Sequence, residues 1–301
     1  MSKANLAASV RQRLLNQARS QERPFQELLQ YYAMERFLYR LSCSDYAKKF
    51  ILKGALLLTA WRAPLSRPTV DIDLMGQTSN ELDNIQLIVI EWCKTETKAD
   101  GLQFEADSVT VARIKEGADY EGVRVRFHAL LAGARIPMQV DIGFGDVIVP
   151  DPITIEYPTL LDFPPPRLMA YPREAVIAEK LQALTDLGLL NSRLKDYFDM
   201  WLLSQLYDFE GASLVEAIRA TFRHRSTEIE ALPAGLTDAF ALDPARQKQW
   251  LAFLRRSRFK TAPAELQSIV QTVREFLQPP LSAAASGTAF AATWRRGDRW
   301  S

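Results

Sequence analysis

Asp71 and Asp73 alternate with Val70, Ile72 and Leu74 in this 301-residue chain. A strand's two-residue period therefore sets both carboxylates on one face and the apolar side chains on the other. Two carboxylates on a strand face are oxygen donors suited to a divalent cation, which in turn holds phosphate oxygens. Just upstream, an apolar run from Phe50 ends in Lys53-Gly54, where a strand is expected to turn into a helix. Glycine at such a turn permits close approach of a phosphate, and backbone N–H groups at a helix start can donate to it. A third carboxylate, Asp141, lies between Val140 and Ile142 in another strand pattern. Three aspartates on adjacent strands would suit a two-metal site, one metal activating an attacking hydroxyl and the other orienting a triphosphate. The plainer reading of the same residues is a solvated strand edge with ordinary carboxylates and a turn glycine.

Farther along, Arg173 to Leu181 reads as an amphipathic helix with Ile177, Leu181 and Leu184 on one stripe and Lys180 beside it. The following turn carries Asn191-Ser192-Arg193-Leu194-Lys195-Asp196-Tyr197-Phe198-Asp199. Lys195 and Asp199 stand one helical turn apart, which by itself suggests a surface pair. Lys180, Arg193 and Lys195 are open to two readings, solvated side chains or cations facing phosphates across a cleft.

These residues need elements to hold them. Helical spacing is expected over residues 4–20 and 24–42, a short strand over 50–52, a helix over 54–61, a strand over 70–75 and a helix following Asn80. From Val109 to Gly143 the pattern changes to β-branched alternation, clearest in Val123–Phe127 and Met138–Ile142, which implies a mixed sheet. Prolines 150, 152, 158, 164, 165 and 166 imply an extended connection, and everything after Pro172 reads as helical. The expected fold class is α+β: an N-terminal α/β domain with leading helices over 1–150, a proline-rich connection over 151–171, a helical domain over 172–281 and a flexible tail over 282–301. Trp294 and Trp300 offer that tail a way to dock instead.

With 37 basic and 36 acidic side chains, net charge +1 and 48% hydrophobic residues, nothing global announces a nucleic-acid partner. Cys43 and Cys93 are too far apart for a zinc motif and read as small buried hydrophobes. The chain lacks an apolar run near the ~20 residues of a membrane span, so a cytoplasmic protein is expected.

Four blocks in order, FILKGALLL, RPTVDIDLMG, QVDIGFGD and REAVIAEKLQALTDLGLLNSRLKDYFDMWLL, resemble the AbiEii/AbiGii toxin family of nucleotidyltransferases, whose fold is of the DNA polymerase beta type. The resemblance covers residues 50–203. It implies that Gly54, Asp71 and Asp73 form the metal and nucleotide block, that Lys180 is the family's helical lysine for nucleotide phosphates, and that Asp196, in the Lys195-Asp196 pair, is an active-site carboxylate. On this reading Asp71, Asp73, Lys180 and Asp196 are catalytic. Lys53, Gly54, Ala55, Arg67, Lys180, Arg193 and Lys195 bind the nucleotide, and Asp71, Asp73 and Asp141 hold metal. Ala55 departs from the pattern, since the superfamily often has Gly or Ser there. The implied cofactor is Mg²⁺ or Mn²⁺, with a nucleoside triphosphate as substrate.

The resemblance further implies a toxin of a toxin–antitoxin or phage-defence system that adds a nucleotide to an acceptor, foremost a tRNA 3′ end, and releases pyrophosphate. An AbiEi-type winged-helix antitoxin is the implied partner. Arg219, Arg223, His224, Arg225 and the run Arg255-Arg256-Ser257-Arg258-Phe259-Lys260 are candidates for an RNA backbone, against the plain reading of a solvated face. Two alternatives stand beside this: a non-catalytic relative acting as a binding or regulatory protein, and nucleotidyl transfer to a protein or small-molecule hydroxyl.

Overall fold

The computed structural model describes residues 3–63, 68–115, 121–257 and 262–301. Two compact units emerge: residues 1–145 with 153–170, and residues 146–152 with 171–301.

The first unit opens with helices α1 (Lys3–Ser20) and α2 (Phe25–Ser42), with Pro24 just ahead of α2. Then follow β1 (Phe50–Lys53), α3 (Leu56–Ala60), β2 (Asp71–Gly76), α4 (Leu82–Lys94), β3 (Gln103–Phe104), β4 (Thr110–Lys115), β5 (Glu121–Leu131), β6 (Ala134–Phe144), β7 (Ile153–Glu156) and β8 (Arg167–Ala170). Among the described residues the strands form one sheet in the order β3-β5-β6-β2-β1-β8-β7, with β4 also paired to β5. The β2·β6 and β1·β8 pairs are parallel and the others antiparallel, so the sheet is mixed as expected.

Alternation decides the two faces. Ile72 and Leu74 of β2 are buried together with Met138, Val140 and Ile142 of β6, whereas Asp71 and Asp73 are only half-buried. An aromatic cluster fills the apolar side: the Phe50 and Trp92 rings meet edge-on at 4.7 Å, and Phe37 lies 4.8 Å from Phe127. Each such pair adds about 0.5–1.5 kcal/mol beyond its buried area.

Helix α2 also buries charge. Arg40 forks onto Asp100 at 2.7 and 3.2 Å, and Glu35, fully enclosed, pairs with Arg36 at 2.8 Å and accepts from the Leu160 N–H at 2.7 Å. Burial pushes the Glu35 carboxyl up to about 7, against the lowering pull of Arg36.

Strands β7 and β8 are a difference from the proline-rich connection expected over 151–171. The prolines forbid helix but tolerate edge pairing, and β8 joins the sheet beside β1 through Ile51–Met169 and Leu52–Ala170.

The second unit is helical: α5 (Arg173–Leu187), α6 (Leu194–Leu206), α7 (Gly211–His224), α8 (Asp238–Ala241), α9 (Pro244–Ser257) and α10 (Leu266–Ser286), with a small ladder between β9 (Phe209–Glu210) and β10 (Thr293–Trp294). The chain beyond residue 281 is not a flexible tail. Helix α10 runs to Ser286, Trp294 is 1% exposed, and its indole N–H donates to the Ser204 carbonyl at 2.8 Å. Trp300 stacks on Phe276 and donates to that residue's carbonyl at 2.9 Å. Burying the Trp294 indole and half-burying that of Trp300 outweighs the Ala, Ser and Gly content that suggested disorder. Among the described residues no helix is long and apolar enough to cross a membrane.

Candidate active site

Residues that are direct cross-strand partners project from the same sheet face. In this sheet one row runs Lys53, Asp73, Asp141 and Arg124, and the neighbouring row runs Asp71, Gln139 and Arg126. The polar face of the first unit is therefore a band of charged and amide side chains across four strands, with the acids Asp71, Asp73 and Asp141 at its centre and Lys53, Arg124 and Arg126 at its sides.

Gly54 follows β1 with φ +73°, a left-handed conformation that costs glycine little. A Cβ at this position would lie 1.9 Å from Asp73 Oδ2 and 2.7 Å from Asp73 Cβ. The absent side chain is the space the Asp73 carboxylate occupies. Here the glycine acts on Asp73 as much as on any incoming phosphate.

Helix α3 behind it is five residues long, starts from Ala55 with ordinary helical angles, and turns the Leu57 and Leu58 N–H groups back onto Gly54 and Ala55. The expected helix over 54–61 is thus shorter, and its dipole correspondingly small. Arg67 lies outside the described residues.

Gln30 of α2 fixes the entry to the face. Its side-chain amide donates to the Pro137 carbonyl on β6 at 3.0 Å and to the Val70 carbonyl ahead of β2 at 3.4 Å, joining the two strands that carry the aspartates. Val70 itself is 62% exposed and precedes the strand, so the expected apolar face starts at Ile72. Gln30 escaped the sequence reading because a lone glutamine in an apolar helix gives no periodic signal.

Asp141 is where the strand pattern put it, directly beside Asp73. Its surroundings differ from the three-carboxylate expectation. Arg124 Nε donates to Asp141 Oδ1 at 2.8 Å and Nη2 donates to Oδ2 at 2.7 Å, while Gln139 Nε2 reaches Oδ2 at 3.3 Å. Among the described residues no group of three or more His, Cys, Asp or Glu side chains has an arrangement able to hold a metal ion. Two half-buried carboxylates, Asp71 and Asp73, supply the hard oxygen donors that suit Mg²⁺ or Mn²⁺, and the missing Cβ at Gly54 keeps room for one of them. The donor set fits such a cation with waters and substrate oxygens completing the shell.

In the second unit, Lys180 of α5 meets two carboxylates of α6. Lys180 Nζ lies 2.6 Å from Asp196 Oδ1 and 2.8 Å from Asp199 Oδ2, with the three side chains only 14%, 9% and 2% exposed. Spacing of three residues puts both aspartates on one face of α6. Asp199 was expected to pair with Lys195; Lys195 is exposed, and Asp199 faces inward to Lys180. Asn191 Oδ1 accepts the Arg193 N–H at 2.8 Å at the start of α6, which leaves the Arg193 side chain exposed and sets Asp196 in the first turn. Asp199 carried no motif signal, but its two neighbours in the helical period did.

Two basic residues expected to face RNA have structural partners. Arg225 lies 2.9 Å from Asp146 and 3.5 Å from Glu179 and donates to Gln182, so Asp146 is an ion-pair partner. Arg219 donates to the Ala283, Ala284 and Thr288 carbonyls, closing the end of α10. Arg223, His224, Arg255 and Arg256 are exposed, and Arg258 and Lys260 lie outside the described residues.

The profile of the family described as the nucleotidyl transferase AbiEii toxin of a type IV toxin–antitoxin system matches residues 36–278. No curated protein matches the chain. Two solved structures from Helicobacter pylori are similar at 15% identity. One, provisionally assigned as a nucleotidyltransferase, covers 87% of this chain and 96% of its own with a TM-score of 0.47. The other, JHP933, covers 87% and 93% with a TM-score of 0.49. By the span of the family match, the chain belongs to the AbiEii family of nucleotidyl transferase toxins.

Proposed function

We propose that this nucleotidyltransferase transfers a nucleotide from a nucleoside triphosphate to the 3′ end of a tRNA and releases pyrophosphate. The acceptor oxygen forms a bond to the α-phosphorus as the bond to the leaving pyrophosphate breaks, and a site carboxylate takes the acceptor proton. The observation that carries this reading is the polar sheet face, where Asp71 and Asp73 stand side by side next to a glycine whose missing Cβ makes room for Asp73.

Asp71 and Asp73 would hold Mg²⁺ or Mn²⁺, which when bound neutralises phosphate charge and polarises the reacting oxygen. Lys53, facing Asp73 across β1 and β2, and the Gly54-Ala55 turn would take part in holding the nucleotide. In the second unit Asp196 and Asp199 fix the Lys180 ammonium; the family resemblance is what assigns Lys180, with the exposed Arg193 and Lys195, to nucleotide phosphates. Ala55 offers no hydroxyl, so any grip on phosphate at that turn is through backbone N–H groups.

A type IV toxin–antitoxin family implies an antitoxin partner, and we take an AbiEi-type winged-helix protein as that partner. Incubation with total RNA, Mg²⁺ and each nucleoside triphosphate labelled at the α-phosphate tests the proposal. Label in a discrete tRNA band with the intact protein, lost in the Asp71→Ala, Asp73→Ala variant, is expected. Label in a protein band instead would reassign the acceptor, and label nowhere would point to a binding protein.

A further inference from the structure

The sheet face that carries Asp71 and Asp73 also carries an arginine that no motif singled out. Arg124 on β5 is the direct partner of Asp141 on β6, which is in turn the direct partner of Asp73 on β2. We propose that Asp141 is a positioning residue for Arg124 rather than a metal ligand, and that Arg124 is a binding residue for the phosphates of the nucleotide. The inference rests on the reading of the Asp71–Asp73 face as the nucleotide site.

Geometry assigns the carboxylate first. Both oxygens of Asp141 sit in the fork of one guanidinium, at 2.8 and 2.7 Å, the bidentate arrangement that is the strongest an arginine makes with a carboxylate. A divalent cation arriving at the same oxygens would meet the guanidinium's positive charge. Gln139 adds a third contact to the carboxylate, at Oδ2, and its own side-chain oxygen accepts from Arg126 Nε at 3.1 Å. Arg126, Gln139, Asp141 and Arg124 thus form one hydrogen-bonded chain over the face.

Exposure points the same way. The Asp141 side chain is 9% exposed and the Arg124 side chain 32%. A carboxylate that served a metal in an open site would be the more accessible member; here it is a buried base under a cation that reaches the surface. Charge supplies the ligand class. A triphosphate brings more negative charge than one divalent cation cancels, and a guanidinium has five N–H donors, so beyond the two that meet Asp141 it carries others suited to phosphate oxygens. Held by Asp141, the guanidinium loses less freedom on binding than a solvated arginine would.

The test measures binding, not turnover. Mn²⁺ affinity is measured without nucleotide by paramagnetic resonance, and affinity for ATP, GTP, CTP and UTP by calorimetry with Ca²⁺, for the intact protein and four variants. Asp71→Asn is expected to lose Mn²⁺ affinity at least about tenfold, while Asp141→Asn and Arg124→Gln stay within about twofold. Nucleotide affinity should fall about tenfold or more in Arg124→Gln and severalfold in Asp141→Asn, with Arg124→Lys between, since lysine keeps the charge and loses the fork. Arg124→Lys also serves as the folded variant if Arg124→Gln leaves Asp141 too poorly compensated to fold.

Asp141→Asn losing Mn²⁺ as Asp71→Asn does would make Asp141 a ligand and overturn the proposal. Intact nucleotide affinity in Arg124→Gln or, where that variant does not fold, in Arg124→Lys would overturn it as well. If Asp71→Asn binds Mn²⁺ normally, the site reading itself fails and this inference with it, a result distinct from the other two.

Discussion

Replacing Gly54 with alanine should damage the fold and the site together. The added Cβ meets two penalties. At φ +73° an L-residue carries a left-handed cost of about 1–2 kcal/mol. The Cβ would also lie 1.9 Å from Asp73 Oδ2, 2.6 Å from Cγ and 2.7 Å from Cβ, against an ordinary contact that begins near 3.4 Å. The carboxylate must therefore retreat by roughly 1.5 Å, the difference between those two distances. Because the Asp73 Cβ is also too close, rotating the carboxylate does not suffice and β1 must shift against β2. Overpacking of this kind costs about 1–3 kcal/mol, for a sum of roughly 2–5 kcal/mol. A donor displaced by more than half of a typical ~2.1 Å metal–oxygen bond no longer coordinates, so Mn²⁺ affinity should drop at least about tenfold. Denaturant unfolding and a Mn²⁺ titration read the two effects separately. Ala55→Ser is the control, because Ala55 has ordinary helical angles and should lose neither. A Gly54→Ala protein with stability within ~0.5 kcal/mol of the parent and undiminished Mn²⁺ affinity would refute the reasoning.

Asp199→Asn should remove the Lys180–Asp199 ion pair, cost about 1–3 kcal/mol in unfolding free energy, and lower the rate of nucleotide transfer; an unchanged rate in a folded protein would make Asp199 purely structural. Trp294→Ala removes a 1%-exposed indole and its bond to Ser204, so a loss of about 3–5 kcal/mol is expected by calorimetry, whereas an unchanged melting temperature would restore the loose tail. Burial raises the Glu35 carboxyl from 4.5 to about 7, so folding favours the protonated form. The stability this contributes is full below pH 4.5 and lost as the pH rises through 7, at most on the order of 3 kcal/mol. Unfolding measured from pH 5 to 8 should thus show a decline for the parent that Glu35→Gln lacks, and parallel curves would contradict it.

The alternation around Asp71 and Asp73 was legible because one sheet face is buried and the other is not, and the same period placed Asp141 beside Asp73. What the period cannot reveal is who occupies a carboxylate. Arg124 lies 17 residues before Asp141, and their meeting depends on the β5·β6 register, which is set by the turn between the strands. Lys180 and Asp196 came from resemblance, while Asp199, one helical period on, needed the packing of α6 on α5 to show which side faced in. Prolines 158 and 164–166 exclude helix and imply an extended connection; they do not show that the extended chain on either side of them pairs as β7·β8. For the tail, composition and individual residues point in opposite directions. Ala, Ser and Gly suggest a flexible segment, whereas Trp294 and Trp300 offer it a way to dock, and the two indoles are what hold it.

One reaction tests the nucleotidyl transfer directly. The protein is mixed with tRNA, Mg²⁺ and a nucleoside triphosphate labelled at both the α- and γ-phosphates, beside the Asp71→Ala, Asp73→Ala variant. Nucleotidyl transfer puts the α-label at the tRNA 3′ end and the γ-label in free pyrophosphate, and both signals vanish in the variant. A γ-label on RNA or protein with the α-label left in nucleoside diphosphate, or full transfer by the variant, would contradict it.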